Sequence, residues 1–176
     1  MAKLNLCELD NSTMISTDLR KSKGLLIDTN LLVLLTIGTL NTSYIEGHKR
    51  TGHYTVEDFN LLLAIIGKFQ LLVVTPNILT EASNLLEGSS YGGVDALSIL
   101  MKIAEKQDET YWNSLSVMQN YSRSYIKFGL TDAVIHAVAM ENYIVLTQDL
   151  RLCSYLEGLG LRVLNFTNFR TNNLLY

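Results

Sequence analysis

Short continuous apolar runs alternate along the chain with stretches in which apolar residues recur every three or four positions. The continuous runs predict strands buried on both faces of a parallel sheet, and they lie at residues 24–28, 71–74, 143–147 and 161–166. The periodic stretches predict helices, and they lie at residues 30–37, 56–69, 76–87, 94–106, 109–126, 132–142 and 150–157. This alternation predicts an α/β fold with a central, mostly parallel sheet covered by helices on both faces.

Local signals mark several helix ends. Thr75 is placed to cap the helix after the second strand, with Pro76 at its first position and Gly88 at its end. Gly129 is expected to end a later helix, and Thr131 to cap the one that follows. These signals divide the chain into short elements without repeats.

The length of 176 residues fits one domain with a full core. We assign residues 1–22 to an N-terminal extension and residues 23–176 to a single domain. Residues 38–55 are polar and contain "GHKRTGH", so they predict a loop. The sequence "TVED", which begins at Thr55, predicts a capping box for the helix after it.

Composition excludes several classes of protein. Apolar residues make up 48% and charged residues 18%, which is typical of a globular chain and not of a disordered one. The formal charge of −3 gives no strong basic footprint for nucleic acid. Setting aside the four acids discussed next leaves 14 basic against 13 acidic residues, so the acidic balance does not argue against a phosphodiester substrate.

Neither export nor membrane insertion is expected from the sequence. The N-terminus lacks the charged and apolar regions of a signal peptide. The apolar residues 25–40 include Asp28, whose carboxylate would be costly inside a bilayer. Cys7 and Cys153 are far apart and form no metal-type pair. We therefore expect reduced thiols in a cytoplasmic protein without membrane contact.

Four acidic residues fall where such a fold binds ligands. In parallel α/β sheets, the carboxyl ends of the strands form the ligand crevice. Asp28 ends the first predicted strand, and Asp149 lies two residues beyond the third. Glu81 lies on the second turn of the helix after the second strand, and Asp132 on the first turn of the helix that leads into the third strand. We expect the four carboxylates to meet in one crevice.

Four carboxylates in one crevice require compensation. Two unit charges about 5 Å apart repel by about 3 kcal/mol at an effective dielectric constant near 20. Such repulsion raises pKa values or demands cations. Oxygen ligands favour Mg²⁺ or Mn²⁺, either one ion or two. The chemistry that fits is metal-assisted phosphodiester hydrolysis, which needs no nucleophilic Ser, Cys or His.

The segments "LLIDTN", "TPNILTEASNLL", "GLTDAVIHAVA" and "IVLTQD", in that order, resemble the PIN domain family of metal-dependent nucleases over about residues 24–166. The resemblance implies a three-layer α/β/α sandwich with four or five strands and a Mg²⁺- or Mn²⁺-dependent endoribonuclease. It implies catalytic and metal-binding roles for Asp28, Glu81, Asp132 and Asp149, supported by Asn30 and Thr147.

The resemblance also bears on partners. Many small bacterial members of the family are toxins held in check by an antitoxin. We therefore expect an RNA substrate, a toxin–antitoxin or phage-defence setting, an antitoxin or another regulatory protein as partner, and a homo-oligomer, most simply a dimer. Residues 38–55 and 87–128 are longer than in minimal toxins, and substrate choice and partner binding are expected to differ there.

Each of these acids also has a structural interpretation. Asp28 and Asp149 both precede helices and suit N-caps, which makes Asp149 the least certain ligand. Glu81 taken alone is most simply a solvated helix residue beside an apolar stripe. His136 lies one turn after Asp132 and is tempting as a base or ligand. A histidine among apolar residues is more often a core residue with its nitrogens satisfied.

Basic and aromatic side chains are candidates for substrate contacts. Arg151 follows Asp149 closely, and Lys49 and Arg50 lie in the densest basic spot outside the N-terminal extension. By default that spot, with His48 and His53, is a solvated loop. The segment "YWNSLSVMQNYSRSY" has aromatic residues that stack on bases in other proteins. Helical packing of Trp112, Leu115 and Met118 is the simpler interpretation.

Other functions stay open to different degrees. A catalytically silent domain of the same fold, acting as a scaffold or RNA-binding module in a larger assembly, is the main alternative. A phosphatase of the haloacid dehalogenase type needs a second Asp where this chain has Asn30. The nucleotide-binding motifs GxGxxG and GxxxxGK[ST] are absent from the sequence. Cleavage of DNA stays open, because metal chemistry at a phosphate does not read the sugar.

Overall fold

Five parallel strands form one sheet in the computed structural model, which describes residues 22–87 and 93–173. The strands are β1 (Leu25–Ile27), β2 (Leu72–Val74), β3 (Asp108–Glu109), β4 (Ile144–Thr147) and β5 (Val163–Asn165), in the spatial order β3-β2-β1-β4-β5. All four neighbouring pairs are parallel. The predicted α/β class is therefore confirmed, with the larger of the two expected strand numbers.

Helices flank this sheet and complete a three-layer α/β/α sandwich. In the described residues they are α1 (Thr29–Leu40), α2 (Val56–Ile66), α3 (Pro76–Leu86), α4 (Gly93–Ala104), α5 (Ser114–Asn120), α6 (Ser122–Phe128), α7 (Leu130–Met140), α8 (Leu150–Gly158) and α9 (Phe166–Asn173). None of the helices in the described ranges is long and apolar enough to cross a membrane. Most of the predicted N-terminal extension, with Cys7, and the predicted helix stop at Gly88 lie outside the described residues.

The centre of the fold is β1 and the helix that follows it. Every residue of β1 is fully buried because the strand pairs with β2 on one side and β4 on the other. Nine of the twelve residues of α1 are buried, as expected for a helix that is apolar on all sides. It contacts α2, α3 and α4. The helix is longer than the predicted residues 30–37, since Thr29 and the three residues after Ile37 join it.

Two predicted helix starts are confirmed. The Thr75 hydroxyl accepts a hydrogen bond from the Ile78 N–H at 3.2 Å, and Pro76 occupies the first turn of α3. Thr55 and Asp58 form the predicted capping box, in which each side chain accepts a hydrogen bond from the other residue's N–H. Both motifs satisfy N–H groups that a helix leaves unpaired at its start.

The prediction of one helix over residues 109–126 was wrong. This region begins with the exposed edge strand β3, whose Asp108 pairs with Val73 of β2. An extended segment, residues 110–113, then leads into α5 and α6, which are separate helices. Tyr121 separates them because its backbone (φ −116°, ψ 35°) is not helical. A two-residue polar edge strand has no apolar run from which it could be predicted.

Two further boundaries differ from the prediction. Thr131 does not cap α7: the helix begins at Leu130, and its N-cap is Gly129, which lies at φ +94° and lacks a capping side chain. Gly129 also ends α6, as predicted. Toward the C-terminus, the strand predicted over residues 161–166 is shorter, and Phe166 instead begins α9.

Residues 41–55 form a loop with a buried inner side. It contains a 3₁₀ turn at Thr42–Tyr44, and the buried side chains are Ile45, His48, Thr51 and Tyr54. The expectation that His48 is solvated was wrong, since only 1% of it is exposed. Burial and the neighbouring Arg50 charge lower the pKa of His48, which keeps the imidazole neutral. Its Nδ1 accepts a hydrogen bond from the Arg50 N–H at 3.2 Å.

The last helix holds this loop in place. Arg170 of α9 donates to the Asp58 carboxylate at 2.8 Å and to the His53 carbonyl at 3.0 Å. Its guanidinium also lies over the Tyr54 ring, 5.1 Å from the centroid. Since α9 was not predicted, neither was this connection between the C-terminal helix and the loop.

Candidate metal centre

Asp28 lies where β1 ends and α1 begins. Its N–H donates to the Leu146 carbonyl at 3.0 Å, which continues the pairing of β1 with β4. Its side chain is 6% exposed. One carboxylate oxygen accepts the Thr29 N–H and the other accepts the Thr147 hydroxyl, each at 2.6 Å. Asp28 is therefore the N-cap of α1, and its carboxylate lies at the carboxyl edge of the sheet.

Thr147 connects two of the candidate acids. It is the last residue of β4 and is fully buried. Its hydroxyl donates to Asp28 and accepts the Asp149 N–H at 3.0 Å. The hydroxyl thus fixes the Asp28 carboxylate and the backbone at Asp149 relative to each other.

Glu81 and Asp149 reach the same edge from two helices. Glu81 on α3 is exposed and accepts the Thr29 hydroxyl at 3.1 Å. Asp149 caps α8, where one carboxylate oxygen accepts the N–H groups of Arg151 at 2.7 Å and Leu152 at 3.1 Å. The prediction that Asp149 is an N-cap is therefore confirmed. A carboxylate that caps a helix can still bind an ion.

Asp132 is half-buried on the first turn of α7. Burial, together with the smaller effect of the charges of Asp28, Asp149 and Glu81, raises its pKa to about 7. The pKa of Asp28 is likewise raised to about 6, and burial is the main cause. Its hydrogen bonds from Thr147 and Thr29 lower this pKa, whereas the charges of Glu81 and Asp149 raise it. The structure thus brings the four predicted acids close enough for their charges to interact.

Nothing in the described part of the protein neutralises these four charges. The ion pairs found there join Lys23 to Glu141 and Arg170 to Asp58. Within the same residues, no group of three or more His, Cys, Asp or Glu side chains is placed to hold a metal ion. Among the described residues, the four carboxylates therefore have no ion-pair partner, and they do not form a complete set of protein ligands around a single metal position.

The predicted supporting residues differ in their surroundings. Thr147 has the contacts described above, whereas Asn30 is exposed on the first turn of α1. Lys49 and Arg50 are exposed in the loop. Arg151 is exposed as well, with its guanidinium 5.8 Å from the centre of the Phe128 ring.

His136 is a core residue, as its apolar neighbours indicated. It is 8% exposed, and its ring lies edge-on to Tyr121 and Tyr155 at centroid distances of 4.8 Å and 5.6 Å. The expectation that both nitrogens are satisfied was wrong, because Nδ1 has no hydrogen-bond partner in the described residues. Burial lowers the pKa of His136 and keeps it neutral.

The expected helical packing around Trp112 was wrong in two respects. Trp112 lies in the extended segment before α5 and contacts Tyr121 edge-on at 6.3 Å. Leu115 lies on α5 but is 62% exposed. Met118 is the member of the three that is both helical and half-buried.

Sequence reasoning missed Tyr54. This residue is 1% exposed, and its hydroxyl donates to the side chain of Gln148, which lies between Thr147 and Asp149. Burial raises the pKa of Tyr54 well above its usual range, the Arg170 charge opposes this, and the Asp28 charge adds to it. A neutral phenol therefore lies near the carboxylates. No periodicity identifies one aromatic residue in a polar loop.

No protein-family model matches the sequence, and no curated protein matches it significantly. The fold and site by themselves define an α/β/α protein with an acidic crevice at the carboxyl edge of its sheet, whose four acids form no ion pair with the residues that the structure describes. Membership of the PIN domain family stays a hypothesis.

Proposed function

We propose that this protein is a Mg²⁺- or Mn²⁺-dependent endoribonuclease of the PIN type. The observation that carries the proposal is the interaction between the charges of Asp28, Glu81, Asp132 and Asp149, none of which forms an ion pair within the described residues. The position of these acids at the carboxyl edge of a parallel sheet supports the proposal, since such folds bind ligands there.

The donor set fits a hard divalent cation. Carboxylate oxygens are the ligands that Mg²⁺ and Mn²⁺ prefer. Mg²⁺ is usually held by one or two carboxylates and keeps several waters, so it does not need a group of three protein ligands. A nearby positive charge would stabilise the carboxylate forms of Asp28 and Asp132 most, because their pKa values are raised. Glu81 and Asp149 lie beside them. When bound, the ion supplies an activated water and offsets charge on a phosphate.

The chain's own groups orient the carboxylates before any ion binds. The Thr147 hydroxyl and the Thr29 N–H each hold one oxygen of Asp28. The Thr29 hydroxyl donates to Glu81, so one residue at the start of α1 connects two of the acids. Hydrogen bonds of this kind behind a metal site fix ligand orientation and typically contribute 10- to 100-fold in metal affinity.

The identity of the substrate as RNA, and the biological setting, rest on the family resemblance. A toxin–antitoxin or phage-defence role, with an antitoxin or another regulatory protein as partner, is proposed on that basis, as is a homodimer. The main alternative is a silent scaffold or RNA-binding module. This alternative differs from the proposed endoribonuclease in one measurable respect: the protein would bind RNA without cutting it.

The test of the proposal is cleavage of an end-labelled single-stranded RNA by the full chain with Mg²⁺ or Mn²⁺. We expect internal cuts that stop when the cation is chelated. Asp28→Asn and Asp132→Asn should each lower the rate by more than about 100-fold, because loss of a direct ligand exceeds the loss of a supporting residue. Circular dichroism and urea unfolding should show that both variants are folded.

Glu141→Gln is the matched control for charge. Glu141 is an exposed acid that pairs with Lys23, outside the crevice, so its variant should cleave at the wild-type rate. Cleavage that survives in both Asn variants, or in the presence of a chelator, would contradict the proposal. RNA binding without any cleavage would favour the silent alternative.

A further inference from the structure

A cavity of about 330 Å³ opens beside the candidate metal centre. It lies between α3, the extended segment that precedes α5, and the first turn of α7. Glu81 is in its wall, and so is Thr131, the residue before Asp132. The volume is within the range of small-molecule sites. The cavity therefore adjoins the acidic crevice at Glu81 and is large enough for one flat ligand group.

The aromatic wall of this cavity is held by backbone contacts. The Thr110 N–H donates to the Val74 carbonyl at 3.0 Å, which extends the β2–β3 pairing to the segment carrying Tyr111 and Trp112. At its far end, Asn113 caps α5 by accepting the Ser116 N–H at 3.0 Å. The two aromatic rings are thus carried on a short segment fixed at both ends.

The chemistry of the lining favours a neutral, flat, hydrogen-bonding group. The lining contains two aromatic residues, Tyr111 and Trp112, and two side-chain amides, Asn77 and Asn84, and none of the described residues that line it is Lys or Arg. Tyr111 is 74% exposed, so its ring is accessible to a ligand. Without a cation, this lining is a poor phosphate site. Aromatic faces stack on nucleobases, and amides hydrogen-bond to base edges.

We infer that this cavity binds a nucleobase of a single-stranded nucleic acid whose phosphate lies at the neighbouring carboxylates. The inference deepens the proposed function and rests on it for the position of the phosphate. The base contacts follow from the lining alone. The cavity then selects where along a strand the protein binds, with Tyr111 and Trp112 as stacking residues and Asn77 and Asn84 as readers of the base edge.

The chain contains a single tryptophan, Trp112, so its fluorescence reports on this cavity directly. The experiment titrates the full chain carrying Asp28→Asn, which is expected to bind without cutting, with a short single-stranded RNA. Single-stranded DNA of the same sequence and a free mononucleotide are the other two probes. We expect a saturable change in Trp112 fluorescence with the RNA. The DNA and mononucleotide arms tell whether the sugar and the rest of the strand add affinity.

Variants in the lining separate stacking from general binding. Tyr111→Ala should weaken the Kd for RNA about tenfold, because one stacking partner is lost. Asn84→Ala should weaken it severalfold and change the preference among bases. Ile126→Ala is the control, since this residue on α6 is 82% exposed and lies outside the cavity lining. It should bind like the parent.

The outcomes distinguish this inference from the proposed function. Cleavage by the wild-type chain, with no change in Trp112 fluorescence and an unchanged KM in Tyr111→Ala, would contradict base binding in the cavity. It would still support the proposed nuclease activity. A Trp112 response that Tyr111→Ala weakens, without any cleavage, would support the cavity and contradict the nuclease. Inorganic phosphate that produces the same response would overturn the base assignment, as would a response confined to a protein partner.

Discussion

At the scale of the residue, the burial of two acids sets the electrostatics of the site. The pKa values of Asp28 and Asp132 are raised to about 6 and about 7 from a normal 3.8. Between pH 4 and pH 7 these two carboxyl groups therefore bind more protons in the folded protein than in the unfolded chain. By linkage, their contribution to the free energy of unfolding falls as pH rises through this window. The metal-free site is thus a source of instability at neutral pH.

Replacing Asp132 with Asn should remove this instability. Asp132→Asn in the absence of divalent cations should raise the free energy of unfolding at pH 8 by about 3 to 4 kcal/mol, the equivalent of two to three pKa units. At pH 4 the gain should vanish, since the wild-type carboxyl is then protonated in the folded state. Urea unfolding at the two pH values measures the difference. An equal gain at both pH values, or none, would show that the pKa of Asp132 is not raised in the folded protein.

The Thr147 hydroxyl should matter more for cation binding than for folding. Thr147→Val keeps the shape but removes the donor to Asp28 and the acceptor of the Asp149 N–H. We expect Mn²⁺ affinity, measured by calorimetry, to fall by about 10- to 100-fold, with a stability loss of about 1 to 3 kcal/mol.

Thr36→Val is the matched control for Thr147→Val. Thr36 is also fully buried, but its hydroxyl donates to the Leu32 carbonyl within α1, away from the acids. Its variant should bind Mn²⁺ as the wild type does. Equal loss of Mn²⁺ affinity in the two variants would remove the special role of Thr147.

Single residues also show what sequence reasoning can find at a site. The four acids were found because each lies at a strand end or in a helix turn that the fold class assigns to one edge. Tyr54 was missed because its position depends on the path of an irregular loop and on the Arg170 contact from a helix far along the chain. The burial of His48 was missed for the same reason.

At the scale of the element, apolar runs predicted four of the five strands, including the edge strand β5, and failed at the other edge strand, β3. β1, β2 and β4 are buried, and each has a continuous apolar run. β3 consists of two exposed acidic residues, and it is a strand only because β2 offers it a partner. The helix predicted across this region failed because pairing to a neighbouring strand cannot be read from local periodicity.

The packing of α1 on α2 depends on one glycine. A Cβ at Gly38 would lie 2.3 Å from the Phe59 ring, so the two helices approach through this position. Gly38→Ala should lower the free energy of unfolding by about 1 to 3 kcal/mol, despite the better helix propensity of Ala. Phe59→Leu in the same chain should recover part of the loss, and urea unfolding of the four chains in the cycle measures the coupling.

Gly158→Ala is the control for this prediction. An added Cβ at Gly158 meets nothing within 4 Å, so the variant should be neutral or slightly stabilised. If Gly38→Ala is as stable as Gly158→Ala, the close approach of α1 and α2 does not constrain the fold.

At the scale of the whole molecule, the acidic crevice exists only in the folded chain. Thr147 and Asp28 are 119 residues apart in sequence, and Thr29 and Glu81 are 52 apart, yet both pairs are hydrogen-bonded. An unfolded chain has no comparable cluster of oxygens. A cation that binds this cluster must therefore favour the folded state, and it also stabilises the charged forms of Asp28 and Asp132, whose pKa values are raised by burial and, to a lesser extent, by repulsion.

Divalent cations should thus stabilise the whole protein against heat. At a concentration 100 times the Kd, binding adds about 2.7 kcal/mol, which for a chain of this size corresponds to a rise in Tm of about 5 to 10 °C. Differential scanning fluorimetry with Mg²⁺ and Mn²⁺ measures the rise, with Na⁺ at equal ionic strength as the control for screening. Asp28→Asn and Asp132→Asn should lose most of it, whereas Glu141→Gln should keep it. An equal rise in all four chains would place the ions elsewhere on the surface and leave the acids of the crevice without a cation.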